Sequence, residues 1–261
     1  MIFLHPSIDP VIFSLGSIEI RWYGLAYVVA FLIGIQLMKR FNYKIEDSNI
    51  TNKIIDDFFI WSIISVIVGG RLGYVIFYQT LIFLNDPFYI FYIWRGGMSF
   101  HGGLIGIIVS TYFFSKIKKI SFFSLSDLIT LVAPIGLFFG RIANFINLEL
   151  IGKVTTFPIA VIYPNIDNLP RHPSQLYEAF FEGLILFIIL YIFFLKFYHK
   201  RMIGKLSGLF LFFYGLFRFL IEFIREPDFN IGLFFNLLSM GQLLSLPLIL
   251  FGLFLVIKKN A

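Results

Sequence analysis

Long apolar segments recur along the whole chain and constrain its fold more than any other feature. A membrane-spanning helix requires about 20 mostly apolar residues. Windows of that kind are residues 22–38, 56–79, 98–115, 125–146, 174–196, 206–224 and 238–257. With 59% hydrophobic and only 14% charged residues, the chain is also too apolar for a soluble domain. We therefore expect an all-α polytopic membrane protein with about seven transmembrane helices, folded as a single domain over residues 1–261.

The lysines alternate between the linkers of these windows and indicate the topology. Lysine-rich linkers follow the first, third and fifth windows, and Lys258 and Lys259 follow the last, whereas the intervening linkers contain few lysines. Because cytoplasmic loops carry an excess of Lys and Arg, we expect an outer amino terminus and a cytoplasmic carboxyl terminus. Residues 1–16 have no basic start and contain two prolines and an aspartate, which is not typical of a cleavable signal peptide.

The longest linker on the expected outer side, residues 153–173, contains four prolines. Long loops in compact proteins are often ordered and often carry function. We therefore expect a small extracytoplasmic head formed mainly by residues 147–173.

The basic residues outside the cytoplasmic linkers are nearly all arginines. They are Arg21, Arg71, Arg95, Arg141, Lys153, Arg171, Arg218 and Arg225. A planar guanidinium that is always charged and binds through two N–H groups suits phosphate recognition in a site of low dielectric. This bias predicts an anionic headgroup site in the outer half of the membrane. The alternative is that these arginines only pair with acidic residues and hold helices together.

The stretch Gly140–Lys153 is unusually polar for the end of an apolar window, with Arg141, Asn144 and Glu149 close together. An arginine at membrane depth costs a few kcal/mol or more, so it usually faces a protein interior or a wet cavity. A polar helix end that extends toward the headgroups is the simpler interpretation for a lone arginine. The combination of Arg, Asn and Glu favours a site.

Two further windows and one interfacial segment add candidates. His101 is flanked by glycines that leave room for a ligand, and it can exchange a proton near neutral pH, although a structural role is equally consistent with the sequence. Within the window 206–224 and just after it, polar residues recur on one helical face within an arc of about 80°. They are Tyr214, Arg218, Glu222 and Arg225. Arg218 and Glu222 could simply pair with each other, but Arg225 would then leave an excess of positive charge. Tyr23, beside an aromatic and charged anchor, could also line a site.

The absence of certain residue patterns limits the possible chemistry. The chain contains no cysteine, so any thiol in its reaction must come from a substrate. Its histidines are too scattered to predict a metal site, and no nucleic-acid-binding motif is evident, so we expect no metal, no other cofactor and no nucleic-acid partner.

The residues Gly140 to Gly152, in the pattern Gly-Arg-x-Ala-Asn-Phe-x-Asn-x-Glu-x-x-Gly, resemble the sequence signature of the bacterial prolipoprotein diacylglyceryl transferases. Segments 97–103 (Gly-Met-Ser-Phe-His-Gly-Gly), 172–178 (His-Pro-Ser-Gln-Leu-Tyr-Glu) and 218–222 (Arg-Phe-x-x-Glu) resemble that family in the same order. The resemblance covers nearly the whole chain.

This resemblance implies an enzyme that transfers the diacylglyceryl group of phosphatidylglycerol to the lipobox cysteine of a prolipoprotein. It implies a thioether-linked product and release of glycerol phosphate, as the first step of lipoprotein maturation. The implied partners are phosphatidylglycerol, the prolipoprotein signal peptide and the bilayer. The implied location is the bacterial inner (cytoplasmic) membrane, crossed several times, with the active site toward the outer face.

The chemistry of such a transfer assigns a role to each candidate residue. A thiol with a pKa near 8.5 must lose its proton, for which His101 is the first choice and a desolvated glutamate the alternative. Arg141 and Arg218 are expected to bind the phosphodiester and stabilise its departure. Arg225 is expected to assist these arginines, and Glu149 and Glu222 are expected to position them. Asn144 and Tyr214 are expected to orient the headgroup by hydrogen bonds. Gly152 is expected in a turn beside the site, and Tyr23 in the lining of the site.

Other functions fit the sequence less well. A lipid or anion transporter could use the same arginines, but transporters usually contain paired repeats and broken helices, which are not evident here. A phosphoalcohol transferase would require an acidic metal site on the cytoplasmic side, where Asp56 and Asp57 are the only acidic pair near a helix end. The residue patterns of an intramembrane protease do not stand out.

Overall fold

The computed structural model describes residues 2–16, 18–45, 49–92, 94, 96–226, 233–234 and 237–258. Arg95 and Lys259, which entered the predictions of the anion site and of the topology, lie outside the described residues. Most of the described chain is helical. The helices are α1 (Trp22–Phe41), α2 (Asn52–Tyr78), α3 (Thr80–Asn85), α4 (Phe100–Lys118), α5 (Phe122–Ile146), α6 (Ser174–Glu178), α7 (Leu186–Lys196), α8 (Lys205–Ile221) and α9 (Met240–Ile257). A π-helical segment, Ala179–Ile185, joins α6 directly to α7.

The helices confirm a multi-pass membrane protein. Every apolar window of the sequence overlaps a helix. Among the described residues, five helical stretches are long and apolar enough to cross a membrane. They are Trp22–Lys44, Asn52–Tyr78, Phe122–Ile146, Ser174–Lys196 and Met240–Ile257. The windows 98–115 and 206–224 correspond to α4 and α8, which are helical but do not belong to these five.

Short strands accompany the helices, and the sequence patterns did not predict them. They are β1 (Phe3–Leu4), β2 (Val11–Leu15), β3 (Ile18–Arg21), β4 (Val161–Tyr163), β5 (Asp167–Arg171), β6 (Leu233–Phe234) and β7 (Leu238–Ser239). β1 pairs in parallel with β4, and β4 pairs antiparallel with β5, in a small sheet. β2–β3 and β6–β7 are antiparallel pairs. β4 and β5 lie within residues 147–173, the segment predicted to form the head.

The chain divides into two compact units. The first contains Met1–Met38 and Asp127–Ala261, and the second contains Lys39–Ser126. The small sheet, α8 and α9 belong to the first unit together with most of α1 and α5. α2, α3 and α4 belong to the second unit.

A buried carboxylate fastens the start of α8 to α5 in the first unit. Asp127 Oδ1 accepts hydrogen bonds from the Ser207 N–H and hydroxyl at 2.8 and 2.7 Å. Its Oδ2 accepts from the Gly204 N–H at 2.6 Å and from the Tyr198 hydroxyl at 2.9 Å. A buried carboxylate is costly unless its oxygens are hydrogen-bonded. These bonds therefore fix the position of α8 relative to α5, the two helices that carry arginines of the candidate site.

Close glycine contacts hold α2 against α4 in the second unit. A Cβ atom added to Gly69 would lie 2.9 Å from Gly106 Cα, and one added to Gly73 would lie 2.7 Å from Gly102 Cα. Real side chains do not fit at such distances, so the helices depend on glycine for their separation. The structure confirms the close packing that the Gly102 and Gly106 spacing predicted.

Arg71 on α2 has a structural position within the second unit. Its buried guanidinium donates hydrogen bonds to the backbone carbonyls of Tyr89 at 2.8 Å, Ile90 at 3.1 Å and Gly96 at 2.5 Å. The sequence left open whether this arginine faces inward or pairs with a lipid. It faces inward and holds the backbone carbonyls of these three residues.

Candidate functional site

Three arginines and three glutamates lie close together in the first unit. They belong to α5, to α6 and the π-helical segment after it, and to α8 and the residues that follow α8. We call this group the arginine–glutamate cluster. Its members are Arg141, Glu178, Glu182, Arg218, Glu222 and Arg225. Charged groups inside a membrane protein are costly to bury and usually mark a functional site.

Glu178 is the centre of the arginine–glutamate cluster. Its Oε2 lies 3.1 Å from Arg141 Nη1. Its Oε1 accepts a hydrogen bond from Arg218 and lies 3.6 Å from Arg225 Nη1. One fully buried carboxylate thus contacts all three guanidinium groups and holds them close to one another.

The other two glutamates differ in how many hydrogen bonds and cations offset the negative charge of their carboxylates. Glu222 accepts hydrogen bonds from Arg218, from Arg225 Nη1 at 3.3 Å and from the Ser239 hydroxyl at 2.7 Å. Glu182 accepts one from Arg141 Nη2 at 3.2 Å through Oε2, whereas its Oε1 has no hydrogen-bond partner among the described residues. Glu178 Oε2 likewise has no hydrogen-bond partner among the described residues, but within the described chain Glu178 forms ion pairs with three arginines and Glu182 with Arg141 alone. The negative charge of Glu182 is therefore the least compensated of the three.

The cluster has a formal charge of zero, with three arginines and three glutamates. The sequence analysis expected an excess of positive charge near Arg225, and the described part of this cluster does not contain it. The pairing of Arg218 with Glu222 was foreseen, but Glu178 reaches Arg225 from a different helix. The side chains of Arg141 and Arg218 are 15% and 14% exposed, whereas the side chains of Glu178 and Glu182 are 0% exposed. The Arg141 and Arg218 side chains are therefore more exposed than the carboxylates of Glu178 and Glu182.

The π-helical segment Ala179–Ile185 places Glu182. Its wider turn contains one more residue than an α-helical turn, and such segments often occur at functional sites. A Cβ atom on Gly183 would lie 2.7 Å from Phe138 Cβ on α5, so glycine allows the segment to approach α5 one turn before Arg141. From the sequence, neither Glu178 nor Glu182 was assigned to the site.

Asn144 and Glu149 form a second polar contact at the end of α5. The Asn144 side-chain amide donates to Glu149 Oε2 at 2.8 Å, and the Glu149 N–H donates to the Asn144 carbonyl at 2.9 Å. Leu148 and Leu150 on either side have φ angles of +59° and +57°, which cost roughly 1–2 kcal/mol each for a non-glycine residue. The Gln175 amide donates to the Glu149 carbonyl at 2.5 Å and stabilises this strained turn.

Gly152 joins the head to the segment that carries Arg225. Gly152 and Arg225 form an antiparallel bridge, flanked by hydrogen bonds from Lys153 N to the Ile224 carbonyl and from Gly152 N to the His172 carbonyl. A Cβ atom on Gly152 would lie 2.6 Å from His172 Cβ. The sequence predicted that Gly152 lies in a turn, but a turn is not the reason that glycine is needed at this position. Close approach of extended backbone segments requires it, and the left-handed residues precede it.

Two tyrosines of the first unit, Tyr214 and Tyr27, lie near the arginine–glutamate cluster. Tyr214 on α8 lies close enough to Arg141 and Glu182 to interact with their charges. The Tyr23 ring contacts the Tyr27 ring with centroids 5.2 Å apart, and Tyr27 lies within electrostatic range of Arg141. The sequence did not identify Tyr27 as a candidate site residue, because it lies one turn after Tyr23 in an apolar helix without other polar residues nearby to mark it.

His101 belongs to the second unit, whereas the other candidate residues belong to the first. It occupies the first turn of α4, where the Ser99 hydroxyl accepts a hydrogen bond from the Gly102 N–H at 3.2 Å and caps the helix. The His101 side chain is exposed. Its role as a base stays a prediction. Among the described residues, no group of three His, Cys, Asp or Glu side chains could hold a metal ion.

Known proteins resemble this chain over nearly its full length. The model of a family described as "Prolipoprotein diacylglyceryl transferase" matches residues 10–258. A relative from Rickettsia bellii (strain OSU 85-389) is 52% identical over 256 residues, covering 98% of this chain and 97% of the relative. Relatives from Rickettsia typhi and Vibrio atlanticus are 51% and 47% identical, covering 98% and 97% of this chain and 98% and 91% of their own lengths. All three are named phosphatidylglycerol–prolipoprotein diacylglyceryl transferase.

Proposed function

Because the chain belongs to the prolipoprotein diacylglyceryl transferase family, we propose that it transfers the diacylglyceryl group of phosphatidylglycerol to the lipobox cysteine of a prolipoprotein. The cysteine sulfur attacks the glyceryl carbon that carries the phosphate. A C–S thioether bond forms, the C–O bond to phosphate breaks, and glycerol phosphate leaves. The thiol proton leaves the sulfur in the same reaction. The substrates of this proposal are those in the relatives' names, and the chain has no cysteine to compete with the substrate's thiol.

The arginine–glutamate cluster is the observation that carries the proposal. Phosphatidylglycerol has one charged group, its phosphodiester, and negative charge grows on the phosphate as the C–O bond breaks. The Arg141 and Arg218 side chains are partly exposed, and buried Glu178 contacts the guanidinium groups of both. Donors fixed in place before the reaction stabilise developing charge without reorganisation. We assign Arg141 and Arg218 to the phosphate, with Arg225 in support through its contacts with Glu178 and Glu222.

The remaining residues orient the substrate or hold the arginines. Glu222 positions Arg218 and Arg225, as the sequence suggested. Glu149 instead contacts Asn144, so we assign it to fixing the amide that orients the headgroup. Tyr214 lies near Arg141, and we assign Tyr23 to the lining of the site through its contact with Tyr27. Gly152 keeps Arg225 in place through the backbone bridge. We propose His101 as the base that removes the thiol proton, with a glutamate as the alternative.

The topology completes the proposal. We propose seven transmembrane helices that include α4 and α8, an outer amino terminus and a cytoplasmic carboxyl terminus, in the bacterial inner membrane. The lysine-rich linkers support this orientation. The head is bridged to Arg225, so an outer head would place the arginine–glutamate cluster toward the outer face.

A reconstituted assay tests the proposed function. Purified protein in detergent is incubated with phosphatidylglycerol and a lipobox peptide without added metal, and release of glycerol phosphate is measured. We expect release that requires the peptide cysteine and is lost in Arg141→Ala. Arg21→Ala is the matched control, because Arg21 is 60% exposed and pairs with Glu19 at the surface. Release that is independent of the cysteine, or that persists in Arg141→Ala, would contradict the proposal.

A further inference from the structure

The neutrality of the arginine–glutamate cluster has a consequence for any anion that binds it. The three arginines are already compensated by three glutamates. A phosphodiester would bring the group to a net charge of minus one. In a low-dielectric environment an uncompensated charge is strongly unfavourable, and a titratable group changes protonation instead. This argument rests on the proposed function, because phosphatidylglycerol is the anion considered.

The glutamates cannot relieve the extra charge by moving into water. Glu178 and Glu182 are fully buried on the helix that runs from α6 to α7, and Glu222 is 5% exposed and hydrogen-bonded to Ser239. Short carboxylate side chains on a packed helix cannot reach solvent without moving the helix itself. Uptake of a proton by one carboxylate therefore remains as the way to restore neutrality.

Glu182 is the carboxylate best placed to take this proton. Glu178 contacts all three arginines, although its Oε2 has no hydrogen-bond partner among the described residues, and Glu222 contacts two arginines and a hydroxyl. Glu182 contacts Arg141 through Oε2, and its buried Oε1 has no hydrogen-bond partner among the described residues. The charged or titratable groups around it are Arg141 from α5, Tyr214 and Arg218 from α8, and Glu178 on its own helix.

We propose that Glu182 takes up one proton from solvent when the phosphodiester of phosphatidylglycerol binds Arg141. A phosphate oxygen replaces Glu182 Oε2 as the acceptor of the Arg141 Nη2–H bond, and the carboxylate, having lost its contacting cation, becomes a neutral carboxylic acid. The proton comes from solvent or buffer, whose bond to that hydrogen breaks as the carboxyl O–H bond forms, and no other covalent bond changes in this step. Headgroup binding and proton uptake are therefore one linked equilibrium at this site.

Because headgroup binding is coupled to the uptake of one proton, the dissociation constant must change with pH by a defined amount. If one proton is taken up, the dissociation constant for the phosphodiester rises about tenfold per pH unit wherever the free site is ionised. Glu182→Gln replaces the carboxylate by a neutral group of the same shape. The cluster of this variant carries one positive charge before binding and none after it. We expect the variant to bind at least as tightly as the parent at pH 8, without pH dependence.

Isothermal titration calorimetry measures the proton directly. A short-chain phosphatidylglycerol is titrated into the detergent-solubilised protein at pH 8 in two buffers that differ in ionisation enthalpy. A short-chain phosphatidylcholine corrects for partition of the acyl chains. The slope of observed enthalpy against buffer ionisation enthalpy gives the number of protons taken up. Glu226→Gln is the matched control, because Glu226 is 51% exposed and pairs with Arg171 outside the cluster.

The expected result is about one proton for the parent and for Glu226→Gln, and none for Glu182→Gln. Binding by the parent without proton uptake, or unchanged uptake in Glu182→Gln, would overturn this inference and leave the transferase proposal intact. A weaker and still pH-dependent Glu182→Gln would also overturn it, since that outcome shows structural damage and another proton acceptor. Absence of both binding and turnover in an otherwise folded parent would overturn the proposed function and this inference with it.

Discussion

Arg141→Lys separates the charge of Arg141 from the shape of its guanidinium. Two nitrogens of the parent side chain contact two different carboxylates, Glu178 at 3.1 Å and Glu182 at 3.2 Å. A single lysine ammonium keeps the charge but cannot occupy both nitrogen positions. Loss of one hydrogen bond to a charged group costs about 1.5–3 kcal/mol. At 1.36 kcal/mol per factor of ten, this corresponds to an activity lower by about 10- to 150-fold.

The assay for this variant is the initial rate of glycerol phosphate release at several phosphatidylglycerol concentrations, together with the midpoint of thermal unfolding. Arg21→Lys is the matched control, and we expect its rate to stay within about twofold of the parent because exposed ion pairs contribute about 0–1 kcal/mol. A folded Arg141→Lys protein with the parent's rate would refute the reasoning, since charge alone would then suffice.

Three further predictions follow from the described contacts. Gly152→Ala should lower both activity and the thermal midpoint, because its Cβ would lie 2.6 Å from His172 Cβ; unchanged values of both would show that the bridge is not required. Asn144→Asp should reduce the rate at pH 8 at least tenfold, because it places a second carboxylate 2.8 Å from Glu149 Oε2, and should recover partly at lower pH. Burial lowers the pKa of His5, so the folded state binds this proton less well than the unfolded state and loses stability below about pH 6.5. The thermal midpoint should therefore fall between pH 7 and pH 5, and fall less in His5→Gln.

The sequence predicted those features that depend on neighbouring residues. Spanning helices could be located because hydropathy is a local property of about 20 residues. The polar face of α8 could be recognised because its residues recur at helical spacing, and the pairing of Arg218 with Glu222 is confirmed. The close packing of α2 and α4 was visible in the glycine spacing.

Features that depend on distant residues could not be predicted in the same way. Glu178 and Glu182 meet Arg141 across helices, about 40 positions away along the chain, and the π-helical segment that places Glu182 has no distinct sequence pattern. Strands of two to five residues are too short for an alternating pattern to be recognised. The structural role of Arg71 depends on carbonyl groups, which every residue has and no sequence pattern reveals.

The most direct test of the central claim is a mass measurement on the lipobox peptide after incubation with protein and phosphatidylglycerol. The account predicts that the cysteine gains one diacylglyceryl group, with one glycerol phosphate released per modified peptide, and that Arg218→Ala gives neither product. Release of glycerol phosphate without peptide modification would identify a lipid hydrolase. That result, or full modification by Arg218→Ala, would contradict the account.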